Sequence, residues 1–146
     1  YKNIFLNGVN ENNEDFKNNL LKKFPNLKFY ETKYKLLNLK ELNKDKSFVI
    51  FSGIGNHNTF LDMLNENKFN IIKDIEFPDH YDYTIKDLQK INKIAKENNS
   101  IILTTEKDYN RLRDENKKNV KFTKVFLEIN KIDEIKEKLK IKNAIN

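Results

Sequence analysis

Short apolar runs alternate with amphipathic segments along the chain, and this alternation limits the possible folds more than any other feature of the sequence. Runs rich in Ile, Val, Leu and Phe predict strands. They cover Asn3–Asn7, Leu27–Tyr30, Phe48–Ser52, Ile71–Phe77, Ile101–Thr104 and Lys124–Ile129. Apolar residues at helical spacing predict helices between these strands. The helical segments are Asp15–Phe24, Thr59–Glu66, Thr84–Asn98, Tyr109–Lys117 and Asp133–Lys142.

Strands that alternate with helices usually form a parallel sheet that is covered on both faces. The sequence therefore predicts an α/β fold with a mostly parallel sheet and helices on both faces, a Rossmann-like three-layer domain. The chain has 146 residues, no internal repeats and only two prolines, so we expect a single domain over residues 1–146. The segment Lys33–Lys46 fits a strand followed by a short helix less clearly than the rest.

The composition excludes several classes of protein. The chain has no cysteine, which excludes disulfides and thiolate metal sites. No apolar run approaches the roughly 18 residues of a membrane-spanning helix. The chain begins with neither an initiator Met nor a signal peptide, so we expect it to be a fragment of a longer protein.

The net charge of +6 has two readings. An abundance of Lys and Asn is typical of low-GC codon usage, which raises the isoelectric point without any role for a ligand. The functional alternative is attraction to anionic lipid or phosphate. Nucleic-acid binding is disfavoured, because the lysines are interleaved with Glu and Asp and form no basic block.

Three predicted helices begin with the pattern T-x-x-D, a relative of the capping box. They begin at Thr59, Thr84 and Thr105. In this pattern the Thr hydroxyl accepts a hydrogen bond from a free amide of the first turn, and the Asp lies at the positive end of the helix.

Polar blocks follow three of the predicted strands, where the ligand crevice of an α/β protein lies. They are Phe51–Asn56 (FSGIGN), Phe77–Thr84 (FPDHYDYT) and Thr104–Asp108 (TTEKD). Glycines in the first block allow a tight turn and a close approach of the backbone to a ligand. An ordinary strand-to-helix turn explains them equally well, and the chain contains no G-x-x-x-x-G-K-[ST] phosphate-binding motif.

His80 is the best candidate for proton transfer, because it lies between the carboxylates Asp79 and Asp82. The structural alternative is a loop in which the Asp residues cap backbone amides and His80 packs beside Tyr81. A small metal hydrolase is a poorer interpretation of the same cluster. We interpret the second histidine, His57, as structural or solvated on a surface turn.

The block TTEKD places two carboxylates, an amine and two hydroxyls at the end of a strand. Glu106 and Lys107 are neighbours, so on a helix they point about 100° apart and do not pair with each other. One of them can therefore face the crevice. The alternative is a solvated first turn in which Thr105 and Asp108 only cap the helix.

In this order the blocks resemble the C-terminal half of the tetraacyldisaccharide 4'-kinase family, the ATP-dependent kinases of lipid A biosynthesis. Members carry G-I-G-x-P-x-x-F, then D-H-H or D-H-Y after F-P, then T-T-E-K-D with a basic residue three positions on. Phe60 and Arg111 match the Phe and the basic residue. The segment Ile4–Gly8 resembles the strand that precedes this half, whereas His57 stands where the family usually has proline.

The resemblance implies transfer of the γ-phosphoryl group of ATP to the 4'-hydroxyl of tetraacyldisaccharide 1-phosphate. It assigns the histidine of the family's catalytic Asp–His dyad to His80, with Asp79 orienting the loop. It assigns a substrate crevice to Gly53, Gly55, Asn56, Thr105, Glu106, Lys107 and Asp108. It implies no metal ligand in this chain.

The resemblance further implies that ATP, Mg²⁺ and the dyad Asp bind or lie in an N-terminal P-loop domain that this chain lacks. We therefore expect the chain alone to be inactive. Its expected partners are that P-loop domain, an anionic glycolipid and the membrane surface, at the cytoplasmic face of the bacterial inner membrane. The alternative is a stand-alone, non-catalytic module that binds an acidic lipid head group or a partner kinase domain.

Overall fold

The computed structural model describes residues 3–7 and 11–138, which form two compact units. One unit contains the described residues up to Lys35 together with those from Phe126 onward, and the other is Leu36–Val125. Numbered in chain order, the strands are β1 (Asn3–Asn7), β2 (Lys28–Leu36), β3 (Ser47–Ser52), β4 (Asn70–Glu76), β5 (Ile101–Thr105), β6 (Val120–Thr123) and β7 (Val125–Ile129). The α-helices are α1 (Glu11–Lys23), α2 (His57–Glu66), α3 (Ile85–Glu97), α4 (Glu106–Arg111), α5 (Asp114–Lys117) and α6 (Ile132–Lys138), and Leu39–Glu41 form a 3₁₀ turn.

Strand β3 is the core of the larger unit. It lies inside a four-stranded sheet in the order β4-β3-β5-β6, and every pairing in this sheet is parallel. Its residues Phe48–Phe51 are fully buried, as the unbroken apolar run predicts for a strand covered on both faces. Burial of each such side chain contributes about 1.5–3 kcal/mol.

The alternation of side chains along β3 produces the three layers. Phe48 and Ile50 pack in a cluster with Phe60 and Leu64 of α2. The neighbouring side chains of β3 point to the other face and pack in a second cluster, with Leu88 and Ile91 of α3. The predicted α/β fold, a parallel sheet with helices on both faces, is therefore confirmed. The expectation that the whole chain is one domain stays a prediction.

The smaller unit contains a three-stranded sheet in the order β1-β2-β7, in which β1 and β2 are parallel. Asn130 fastens the end of this sheet to Glu31 through two hydrogen bonds. Its side-chain oxygen accepts from the Glu31 amide at 2.8 Å, and its own amide donates to the Glu31 carbonyl at 2.9 Å. Lys35 and Glu128 form a partly exposed ion pair at 2.6 Å across the same sheet.

The segment Lys33–Lys46 does contain the strand and short helix that its sequence suggested. Strand β2 continues to Leu36, six residues beyond its predicted end at Tyr30, and the 3₁₀ turn follows. The buried Asn38 lies between them and hydrogen bonds to β6. Its Nδ2 donates to the Phe122 carbonyl at 2.9 Å and its Oδ1 accepts from the Lys124 amide at 2.8 Å.

The predicted helix Tyr109–Lys117 is wrong in its extent, because the chain forms two short helices there, α4 and α5. Leu112 ends α4 by adopting an extended conformation (φ −71°, ψ 145°), and its side chain is buried in the cluster beneath α3. Strand β6 was not predicted, because its four residues include an exposed lysine and only two apolar side chains. The predicted helix Asp133–Lys142 is described only as far as Lys138.

The T-x-x-D prediction holds for two of the three helices. Thr84 and Asp87 form a capping box on α3, and the Thr105 hydroxyl accepts from the Asp108 amide at 3.1 Å on α4. The prediction for Thr59 is wrong, because Asn56 caps α2 and accepts from the Thr59 amide at 3.1 Å. Among the helices described, none has the length and apolar content required to cross a membrane.

Thr84→Ala removes one half of the α3 capping box and should lower the free energy of unfolding by about 0.5–2 kcal/mol. Thr59→Ala is the matched control and should cost less, because Thr59 lies within α2 and caps nothing. Urea unfolding of the two variants measures the difference in their free energies of unfolding. Equal losses in both variants would contradict the assignment of Thr84 as the cap of α3.

The loss of stability in Thr84→Ala should also depend on pH. Hydrogen bonds from Thr84 hold the pKa of Asp87 below its ordinary value. A carboxylate with a depressed pKa in the folded state stabilises the protein above its unfolded pKa, and this contribution is lost as the pH falls through the folded pKa. The stability deficit of Thr84→Ala should therefore shrink in acid.

Candidate functional site

The carbonyl oxygen of Gly53 joins the first polar block to the second directly and to the third through Arg111, which also bonds to Asp108. It accepts a hydrogen bond from the backbone amide of His80 at 3.1 Å and another from Arg111 Nη1 at 3.1 Å. Gly53 directly follows β3, His80 lies in the loop between β4 and α3, and Arg111 ends α4. The carboxyl ends of adjacent parallel strands thus bring the blocks together within the larger unit, as their positions in the sequence indicated.

Two glycines allow this close packing. A Cβ atom on the buried Gly53 would lie 2.9 Å from the Tyr83 hydroxyl and 3.0 Å from the Pro78 carbonyl oxygen. A Cβ atom on the exposed Gly55 would lie 3.3 Å from Asp79 Oδ2. The loop that carries His80 therefore rests on the glycine turn with no room for a side chain at Gly53.

Asp108 fixes the position of the Arg111 side chain. Its side chain is fully buried, and its Oδ1 accepts from Arg111 Nη1 at 3.2 Å while its Oδ2 accepts from the Thr105 hydroxyl at 2.7 Å. A buried carboxylate requires such partners, since an unpaired charge in the interior costs several kcal/mol. Asp108, which was predicted to bind substrate, therefore reaches the glycine turn through Arg111.

Tyr83 completes this cluster with a buried hydroxyl that lies near Asp108 and the Gly53 backbone but makes no hydrogen bond of good geometry within the described residues. Burial raises the pKa of Tyr83 far above its ordinary value, and the charge of Asp108 raises it further. The hydroxyl thus stays neutral and fills the space above Gly53. Its ring packs against Phe51 and Phe77 at centroid distances of 5.2 Å each.

His80 is held by its backbone and exposed at its side chain. Its φ of 59° lies in the left-handed region, which is unfavourable for a residue with a Cβ. The hydrogen bond to Gly53 helps to hold this conformation, while 69% of the imidazole remains accessible. Asp79 Oδ2 lies 3.7 Å from His80 Nε2. A base presented in this way can reach a substrate proton from a fixed position.

His80 does not pack into the loop as the structural alternative suggested. Tyr81 instead stacks on Phe77, with ring centroids 4.8 Å apart, and donates to Asp87 at 3.1 Å. Asp82 is exposed in the same loop.

The other predicted site residues surround this centre or support its helices. Asn56 caps α2 and Thr105 caps α4, so each has a structural task. Glu106 and Lys107 are both exposed on the first turn of α4. The roles in substrate binding that the resemblance assigned to these residues stay predictions.

His57 is buried. Its predicted position on a surface turn is therefore wrong. Its Nδ1 lies 2.5 Å from the Ser52 hydroxyl and its Nε2 lies 2.7 Å from Asp74 Oδ1. This relay links the end of β3 to β4, and the structural part of the interpretation of His57 agrees with it. Ser52 is fully buried, so the relay offers no accessible nucleophile.

Sequence reasoning missed several supporting residues. Arg111 was noted only as the basic residue of the pattern, although it is one of two arginines in the chain. Asp74 had one usable signal, since it interrupts an apolar run that predicts a strand. Tyr83 had no signal beyond its aromatic neighbours.

The described part of the chain contains no group of three or more His, Cys, Asp or Glu side chains that could hold a metal ion.

The fold and the site together define an α/β domain whose polar loops meet at the carboxyl ends of a parallel sheet, the usual ligand-binding edge. The sequence profile of the tetraacyldisaccharide-1-P 4'-kinase family matches residues 2–144, and the chain belongs to this family.

Relatives agree with the family match. The chain is 43% identical over 139 residues to a tetraacyldisaccharide 4'-kinase of Pelagibacter ubique, covering 95% of this chain and 44% of that protein. It is 40% identical over 98 residues to the enzyme of Rickettsia typhi, covering 67% of this chain and 30% of the relative. The chain thus spans less than half the length of these relatives. No solved structure matches it at a significant level.

Gly53→Ala should lower the free energy of unfolding by about 1–3 kcal/mol, the range for overpacking a filled space. The new methyl group would meet the Pro78 backbone, which cannot move without displacing the loop. Gly55→Ala is the matched control and should cost much less, because Asp79 is an exposed side chain that can turn away. Thermal or urea unfolding checks this order, and equal effects at both glycines would contradict the packing described.

Proposed function

We propose that this chain is the C-terminal part of an enzyme that transfers the γ-phosphoryl group of ATP to the 4'-hydroxyl of tetraacyldisaccharide 1-phosphate. The observation that carries the proposal is the exposed imidazole of His80 on a backbone fixed to Gly53, in a chain of this family. A kinase of this type has to position groups and stabilise charge more than it has to form covalent intermediates.

His80 acts as the proton acceptor in this proposal. As the hydroxyl oxygen forms its bond to the γ-phosphorus, the bond from that phosphorus to ADP breaks and the hydroxyl proton passes toward His80. Asp79, at 3.7 Å from the imidazole, stabilises the positive charge that the ring then carries. In the same proposal, the Asp of the family's catalytic Asp–His dyad lies outside this chain.

Gly53, Arg111 and Asp108 position the His80 loop without contact with substrate. Glu106 and Lys107 are the exposed groups of the first turn of α4, and they are proposed to contact the anionic sugar together with Gly55, Asn56 and Thr105. The amine of Lys107 suits a phosphate oxygen, and the carboxylate of Glu106 suits a sugar hydroxyl.

ATP and Mg²⁺ are proposed to bind to the part of the family's chain that the match does not cover, a P-loop domain. A net charge of +6 favours approach to an anionic glycolipid at a membrane surface. We accordingly propose that the enzyme acts at the cytoplasmic face of the bacterial inner membrane.

His80→Gln in a full-length enzyme that contains this chain should lower kcat by about 10²–10⁴-fold, the usual contribution of a positioned base. The KM for ATP should change little, because the nucleotide is proposed to bind elsewhere. Steady-state kinetics on a variant with an unchanged melting temperature provides the measurement.

Asp82→Asn is the control for this experiment, since Asp82 is an exposed carboxylate of the same loop and has no role in the proposal. It should leave kcat near the wild-type value. A folded His80→Gln enzyme with wild-type kcat would refute the assignment of His80.

A further inference from the structure

A cavity lies at the β6 edge of the four-stranded sheet and shares no residue with the cluster around Gly53. Its volume is about 550 Å³, within the range of about 300–1,000 Å³ that is typical of small-molecule sites. It lies between the 3₁₀ turn, helices α4 and α5 and strand β6, and four of its eleven lining residues are lysines.

Two aromatic rings form one wall of this cavity. The rings of Tyr109 and Phe122 pack against each other at a tilt, with centroids 4.4 Å apart and an interplanar angle of 32°. The ammonium group of Lys117 lies 5.6 Å from the Tyr109 centroid, and that of Lys124 lies 5.7 Å from the Phe122 centroid. Both distances are within the range of a cation–π contact, which holds the two amines beside the aromatic wall.

The charge of the cavity is positive and only partly neutralised. Lys117 pairs with Asp114 at 2.8 Å. Lys118, Lys121 and Lys124 line the cavity without an ion pair to any carboxylate in the part of the chain that the structure describes. Glu41 is the one other acidic residue of the lining. Three amines are therefore available to an anion at this edge of the sheet.

The backbone around these lysines is well supported. The amide of Asn38 bridges the Phe122 carbonyl and the Lys124 amide, so the outer edge of β6 is hydrogen bonded there. Leu42 and Val120 anchor the wall in the two core clusters. Lys121 is thus carried by a fixed strand and Lys124 directly follows it, which favours a site of defined shape.

We propose that this cavity binds a phosphomonoester attached to a sugar or to a lipid head group. Lys118, Lys121 and Lys124 donate to the phosphate oxygens. The site is separate from the proposed transfer reaction, and its test requires no kinase activity. The two proposals can therefore fail independently.

Binding to the 146-residue chain can be followed by NMR with two probes. They are free glucose 1-phosphate and phosphatidylcholine vesicles that contain phosphatidic acid, two sources of the same phosphomonoester. Saturable shifts or broadening are expected at the Asn38 side-chain amide and at the backbone amides of Lys121 and Phe122. Added salt should weaken the interaction, because these lysines are exposed.

The double variant Lys118→Gln/Lys121→Gln should weaken binding by about tenfold or more, the effect of losing charged hydrogen bonds. The control Lys73→Gln/Lys90→Gln removes the same charge from exposed positions outside the cavity and should leave the affinity unchanged.

Binding of the free sugar phosphate supports a soluble ligand, and binding of the vesicles alone supports a lipid head group. The proposal is overturned if neither probe perturbs the cavity residues. It is also overturned if both double variants weaken binding equally, since the net charge would then explain the interaction.

Discussion

The hydrogen bonds to the Gly53 carbonyl are the constraint on which the site depends. One oxygen at the end of the central strand accepts from the His80 amide and from the Arg111 guanidinium, each at 3.1 Å. These contacts join residues that lie far apart in the sequence, and they fix where the exposed imidazole stands. The fold supplies the oxygen because Gly53 directly follows the buried part of strand β3.

The cluster beneath this carbonyl has polar and charged members that constrain one another. Asp108 is fully buried and pairs with Arg111 and Thr105, whereas burial raises the pKa of Tyr83 and keeps its hydroxyl neutral beside them. Removing one partner of a buried ion pair usually costs about 3–5 kcal/mol, because the other charge is left without a partner. The cluster thus couples the stability of the larger unit to the position of His80. The proposed chemistry depends on that position.

The sequence predicted the layers and the meeting of three blocks, because both follow from local patterns and one rule of parallel sheets. It did not predict that Arg111 would bond to Gly53, since a pairing 58 residues apart leaves no local signal. The burial of His57 was missed for the same reason, because its partner Asp74 lies 17 residues away on strand β4. The cap of α2 was misplaced because Thr59 matched a cap pattern while Asn56, three residues earlier, makes the bond.

Amide hydrogen exchange at His80 tests the central claim most directly, in Arg111→Ala beside the control Arg113→Ala. Arg113 is the other arginine, and its side chain is exposed and makes no capping bond. The account predicts faster exchange at His80 in Arg111→Ala alone, while the amides of Val49 and Phe51 in the core remain protected. Unchanged exchange at His80 in a folded Arg111→Ala variant, or equal acceleration in both variants, would contradict the account.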